Sequence, residues 1–132
     1  MALLVLVLVT GVIFLIADAI MLSTVMQPLF AQNLGETLRE DLRPLPAVLF
    51  YLIYMAGVVW FAGWLALRDD TPATALVNGA ILGFVAYGTY ELTSWTVMRD
   101  WHPSMVVADM AWGATLTAVS AWGGVMAARV IG

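Results

Sequence analysis

The chain has 132 residues, of which 63% are hydrophobic and only 11% charged, and its mean hydropathy is +0.95. That balance excludes a water-soluble globule, whose surface needs far more charge, and the formal net charge of -4 counts against nucleic acid as a partner. Cysteine is absent, so disulfides and thiolate metal sites are excluded, and lysine is absent too, leaving five arginines as the cations.

A helix needs roughly 20 apolar residues to cross a bilayer. Four stretches of about that size or more occupy nearly the whole chain, which reads as one transmembrane domain over residues 1–132 with spans near 2–26, 46–67, 72–98 and 103–130. In the first, Leu3 to Ile16 followed by Ala17-Asp18-Ala19 imitates a secretory leader. No basic segment precedes it, so it is expected to remain as the first span. Gln27-Pro28 ends that span, because proline disfavours helix at the residue before it.

The one long connection, 27–45, gathers Glu36, Arg39, Glu40, Asp41 and Arg43. Leu34, Leu38 and Leu42 recur there at helical spacing, as in a short amphipathic helix lying on the membrane interface; an irregular polar loop fits the same residues. Pro44 and Pro46 then open the second span, since proline is tolerated in a first helical turn. Arg68 to Thr71 forms a tight turn, with Thr71-Pro72 reading as N-cap and first helical residue of the third span. Arg99-Asp100-Trp101-His102 turns the chain again, and Pro103 opens the fourth span. The two short turns make spans 2, 3 and 4 antiparallel neighbours. The fold expected is therefore all-α, an integral membrane four-helix bundle. Arg39, Arg43, Arg99 and His102 lie on the side of the 27–45 loop and the 99–102 turn, against Arg68 and Arg129 opposite, so the positive-inside tendency places that loop side in the cytoplasm.

Three acids fall inside spans, where hydrocarbon cannot solvate a carboxylate: Asp18, Glu91 and Asp109. At a rise of about 1.5 Å per residue they lie roughly 12, 10 and 9 Å from the loop-side ends of their helices, and Tyr51 and Tyr54 lie roughly 7 to 12 Å from theirs. All four spans thus carry their polar residues at one depth. Gly79, Gly83, Tyr87 and Glu91 share one helical stripe, Asp109, Gly113, Thr117 and Gly124 another, and Gly11, Phe14 and Asp18 a third. Small residues mark close helix approach in membranes, so these stripes are expected to face inward. The candidate binding set is Asp18, Glu91, Asp109, Tyr51, Tyr54, Tyr90 and Trp112, the last one turn from Asp109. No arginine falls at this depth, so three like charges oppose one another unless protons, hydroxyl partners or a cation intervene. A hard cation held by Asp18, Glu91 and Asp109 is one reading; protonated acids bonded to tyrosine and threonine oxygens are the other. Trp60, Trp64, Trp95, Trp101 and Trp122 are expected in interfacial belts, and His102 as a solvated turn residue.

At Tyr90-Glu91-Leu92-Thr93 and Asp109-Met110-Ala111-Trp112-Gly113 the chain resembles a family of small bacterial membrane proteins known as domain of unknown function 2177. The likeness extends over nearly the whole length, including Asp18 and Leu34-Gly35. Family members more often show Asp-Leu-Thr-Asn where this chain has Glu91-Leu92-Thr93-Ser94. The resemblance implies a four-helix protein of the bacterial inner membrane and no particular activity.

Three functions fit these residues. The acid and tyrosine cluster would hold a proton, a cation or a cationic small molecule without catalysis. Alternatively, small size and minimal loops suit an accessory subunit of a membrane complex, or a homo-oligomer. A lipid-modifying enzyme using the carboxylates as acid and base is the third. No nucleophile–base pair, phosphate-cradling loop or histidine-rich metal motif supports the third, so the reading leans away from an enzyme. No cofactor is specified by any motif.

Overall fold

The computed structural model describes residues 1–26, 28–29, 32 and 44–131. Among the described residues four helices are long and apolar enough to cross a membrane, and no strand occurs. The first, α1, runs Ala2–Met21 and ends in a wide π-helical turn, Leu22–Met26. There Ser23 and Thr24 donate back to the carbonyls of Ala19 and Ile20. Hydroxyls that bond back along a helix in this way loosen its last turn. The second, α2, starts at Pro44–Val58, widens into a π segment at Val59–Trp64 and finishes with Leu65–Arg68. The third, α3, is Pro72–Val97, and α4 is Pro103–Ile131. The 27–45 connection, with the amphipathic helix expected at 34–42, falls outside the described residues except for 28–29, 32 and 44–45.

The outward faces are plainly apolar. Leu4, Leu8, Ile16 and Ile20 of α1 are each more than half exposed, as are Leu52, Ile53, Trp60 and Phe61 of α2. Surfaces of this kind suit lipid and not water. Inside, α4 is the central helix, covered along one face from Met105 to Ala128. It packs most extensively on α3, and next on α1.

Small residues set those approaches along the α3 and α4 stripes, whereas Gly11, expected on the inward stripe of α1, would have nothing within 4 Å of an added Cβ. A Cβ added to Gly79 would lie 2.8 Å from the Ala118 Cα, and one on Gly83 would run into the Gly113 carbonyl. The backbones of α3 and α4 therefore touch. On α4, Gly113 leaves room for the Tyr87 ring and Gly124 leaves room for the Thr10 hydroxyl of α1.

The α2–α3 turn is a Schellman closure. Thr71 N–H bonds the Ala66 carbonyl at 2.9 Å and Asp70 N–H bonds Leu67 at 3.2 Å. Asp70 takes the left-handed conformation this requires, with φ 52°. Thr71 occupies the N-cap position of α3, but its hydroxyl does not cap the helix as expected. It donates to the Asp69 carbonyl at 3.0 Å instead, drawn into the preceding turn. His102 has a use the sequence did not suggest: its Nδ1 accepts the Ser104 backbone N–H at 3.1 Å, capping α4. At the turn side opposite the long loop, Arg129 of α4 pairs with Asp70 at 2.9 Å.

The π segment of α2 is the part that meets α1, α3 and α4 together, whereas Pro44–Val58 makes few contacts with α1. Asn78 of α3 donates to the Phe61 carbonyl at 2.9 Å, satisfying a backbone oxygen within the widened turn. Two hollows border α1 and α2. One, about 660 Å³, lies toward Leu3, Val7, Met55, Val59 and Trp64 and has no charged lining residue among those described. The other is lined by Asp18 and Asp109.

Candidate binding cleft

Asp18 is placed by Phe14, one helical turn earlier on the same face. Phe14 is fully covered and meets Tyr51 and Tyr54 of α2 edge-on, with ring centroids 6.0 and 5.6 Å apart. That packing sets the Tyr51 hydroxyl against the acid. Tyr51 donates to Asp18 Oδ2 at 2.5 Å, and Trp112 of α4 donates its indole N–H to Oδ1 at 3.1 Å. Each carboxyl oxygen thus receives one uncharged donor, from two different helices.

Glu91 is the most deeply placed acid, with none of its surface exposed. Its Oε1 accepts the Trp101 indole N–H at 3.0 Å, while Oε2 has no hydrogen-bond partner. The Asp109 carboxyl of α4 interacts with it. Two like charges within reach of each other oppose one another.

Asp18 and Asp109 line one cleft of about 550 Å³, whose walls include Phe50, Tyr51, Tyr87 and Tyr90. A further aromatic ring backs two of these lining residues. Tyr54 packs under Phe50, stacked at 5.2 Å, and edge-on to Tyr87 at 6.1 Å.

The expected constellation is therefore assembled in part. Asp18, Tyr51 and Trp112 form one bonded group; Glu91 and Asp109 form a second beside it. Tyr90 stands at the cleft wall, half exposed and edge-on to Trp101. The Tyr54 hydroxyl joins no acid: it is buried and shares a 2.7 Å hydrogen bond with Thr117 of α4. Spacing alone put Tyr54 level with the acids, but one helical step of three residues turns it toward α4. Trp101 is a correction. Expected in an interfacial belt, it is 7% exposed, because the 98–102 turn folds its indole back onto Glu91. Tyr87 was legible as part of the inward stripe, yet its place in the cleft wall depends on Gly113, which makes room for its ring.

No arginine or histidine pairs with Asp18, Glu91 or Asp109 among the described residues; the ion pairs join Arg68 to Asp69, Arg99 to Asp100 and Arg129 to Asp70. Nor do three or more acids or histidines among those residues form a group able to hold a metal ion. The reading of Asp18, Glu91 and Asp109 as a joint metal-ligand set thus has no donor geometry behind it. Trp112 donates to Asp18 and Trp101 to Glu91, each indole serving a different acid.

Residues 3–126 match the family model described as "Predicted membrane protein (DUF2177)". No curated protein and no solved structure matches the chain.

Proposed function

The chain belongs to the DUF2177 family of membrane proteins, and on that premise we propose that it is a non-enzymatic multi-pass protein whose acid-lined cleft takes up a proton or a cation. The supporting observation is the Asp18 carboxyl: held at both oxygens by neutral donors, bordering a cleft, and unpaired with any basic side chain among the described residues. A carboxyl fixed in this way inside an apolar bundle attracts positive charge, because hydrocarbon offers no other means of neutralising it. Asp109 adds a second carboxyl to the cleft lining.

The whole of 1–132 acts as one unit in this reading, in the bacterial inner membrane, with the 27–45 and 99–102 side toward the cytoplasm. The arginines on that side support the orientation.

The test is a proton count. The protein in lipid nanodiscs is titrated from alkaline to acid pH while the infrared carboxylic-acid band is recorded. Wild type is expected to show buried carboxyl signals that Asp18→Asn and Asp109→Asn each diminish. A band unchanged in both variants overturns the proposal.

A further inference from the structure

We propose that the cleft takes a lipophilic organic cation: a quaternary or aryl-substituted onium centre between Asp18 and Asp109, with its apolar body against Phe50, Tyr87 and Tyr90. This deepens the reading above and rests on it.

Size is the first reason. A cleft of about 550 Å³ has the volume of roughly 18 water molecules and falls in the range of small-molecule pockets, far beyond a bare inorganic ion. Composition is the second. A hard metal ion wants six or more oxygens around it, whereas most of the lining here is carbon and no metal-ligand group forms among the described residues. Aromatic rings stabilise diffuse positive charge over their faces, most strongly where water is excluded. Phe50 and Tyr90 both line the cleft, and each is about half exposed.

The hydrogen bonds agree. Both Asp18 oxygens already accept a bond, from Tyr51 and Trp112. Two neutral donors thereby orient the carboxyl, and an onium ion, which has no N–H to place, needs only opposite charge from it. The site also lies within membrane-spanning helices, which only a guest that partitions into lipid reaches readily.

Tetraphenylphosphonium is the probe, with binding read by calorimetry on protein in nanodiscs of phosphatidylglycerol. Asp18→Asn is expected to weaken binding by about tenfold or more, the scale of one desolvated charge contact, and Phe50→Leu by several-fold through loss of a ring face. Asp69→Asn, on the opposite turn, is expected to leave it unchanged. Size-exclusion profiles of the variants report folding, and Phe50→Leu, at a half-exposed site, is the gentler of the two changes. Equal binding by wild type, Asp18→Asn and Phe50→Leu means simple partition into lipid and overturns the inference. Repeating the titration with phosphatidylcholine distinguishes the source of the cation: competition assigns the site to a lipid headgroup of the same onium chemistry, and no competition to a free cation. Absence of probe binding with an intact Asp18 and Asp109 proton response sinks this inference alone. Loss of both responses removes the proposed function with it.

Discussion

Tyr51 and Asp18, separated by 33 positions in the chain, are joined by a hydrogen bond of 2.5 Å between α2 and α1. Between two helices that otherwise touch sparingly near that end, it is a principal tie. Tyr51→Phe keeps the ring against Phe14 and removes only the hydroxyl. Unfolding in detergent is expected to show a loss of about 1–3 kcal/mol, the penalty of depriving a carboxyl of a donor. Trp112→Phe removes the second donor, and the double variant is expected to depart from additivity by roughly 0.5 kcal/mol or more, since both act on one group. Strict additivity would mean that Asp18 is not held jointly.

Two glycine substitutions separate packing from helix propensity. Gly83→Ala drives a methyl into the Gly113 carbonyl, whereas Gly57→Ala meets nothing within 4 Å. The first is expected to lower stability by about 1–3 kcal/mol, as overpacked cores do. The second is expected to be neutral or to raise stability by up to about 1 kcal/mol. Thermal melts of the pair in one detergent decide it, and equal effects would contradict the backbone contact of α3 with α4.

Glu91 and Trp101 supply a test with an opposite sign in its second half. Trp101→Phe leaves the fully covered Glu91 carboxyl without its indole donor, and a loss of about 1–3 kcal/mol is expected. Adding Glu91→Leu to that variant removes the stranded polar group and is expected to restore part of the loss. If the double variant is the less stable of the two, the acid does more for the fold than its bond to Trp101 accounts for.

The Arg129–Asp70 pair sets the lower end of the scale. Both partners are substantially exposed, so Arg129→Gln is expected to change stability by less than about 1 kcal/mol, with the difference shrinking in high salt. A larger, salt-insensitive effect would place that pair in a drier setting than its exposure indicates.

The fold was legible because each of its causes is local. Prolines at 44, 46, 72 and 103 sit in first helical turns, and the glycine stripes of α3 and α4 face each other as their spacing requires. Trp112, singled out for standing one turn from Asp109, reaches the carboxyl of Asp18 instead. Rotation and turn geometry were less accessible. Tyr54 and Tyr51 are three residues apart, yet one bonds Thr117 and the other Asp18, a difference set by where Phe14 wedges between them. Trp101 belongs to a turn, where no periodicity says which way an indole folds. The π segment of α2 leaves no mark in hydropathy; its partners, Asn78 and three other helices, lie far along the chain or in other spans.

Phe14 and Tyr54 pack edge-on to each other, and both rings are almost wholly covered. If the cleft takes up a cation as proposed, these two covered rings would stand between the guest and the uncharged hollow, and among the described residues the two compartments share no lining residue.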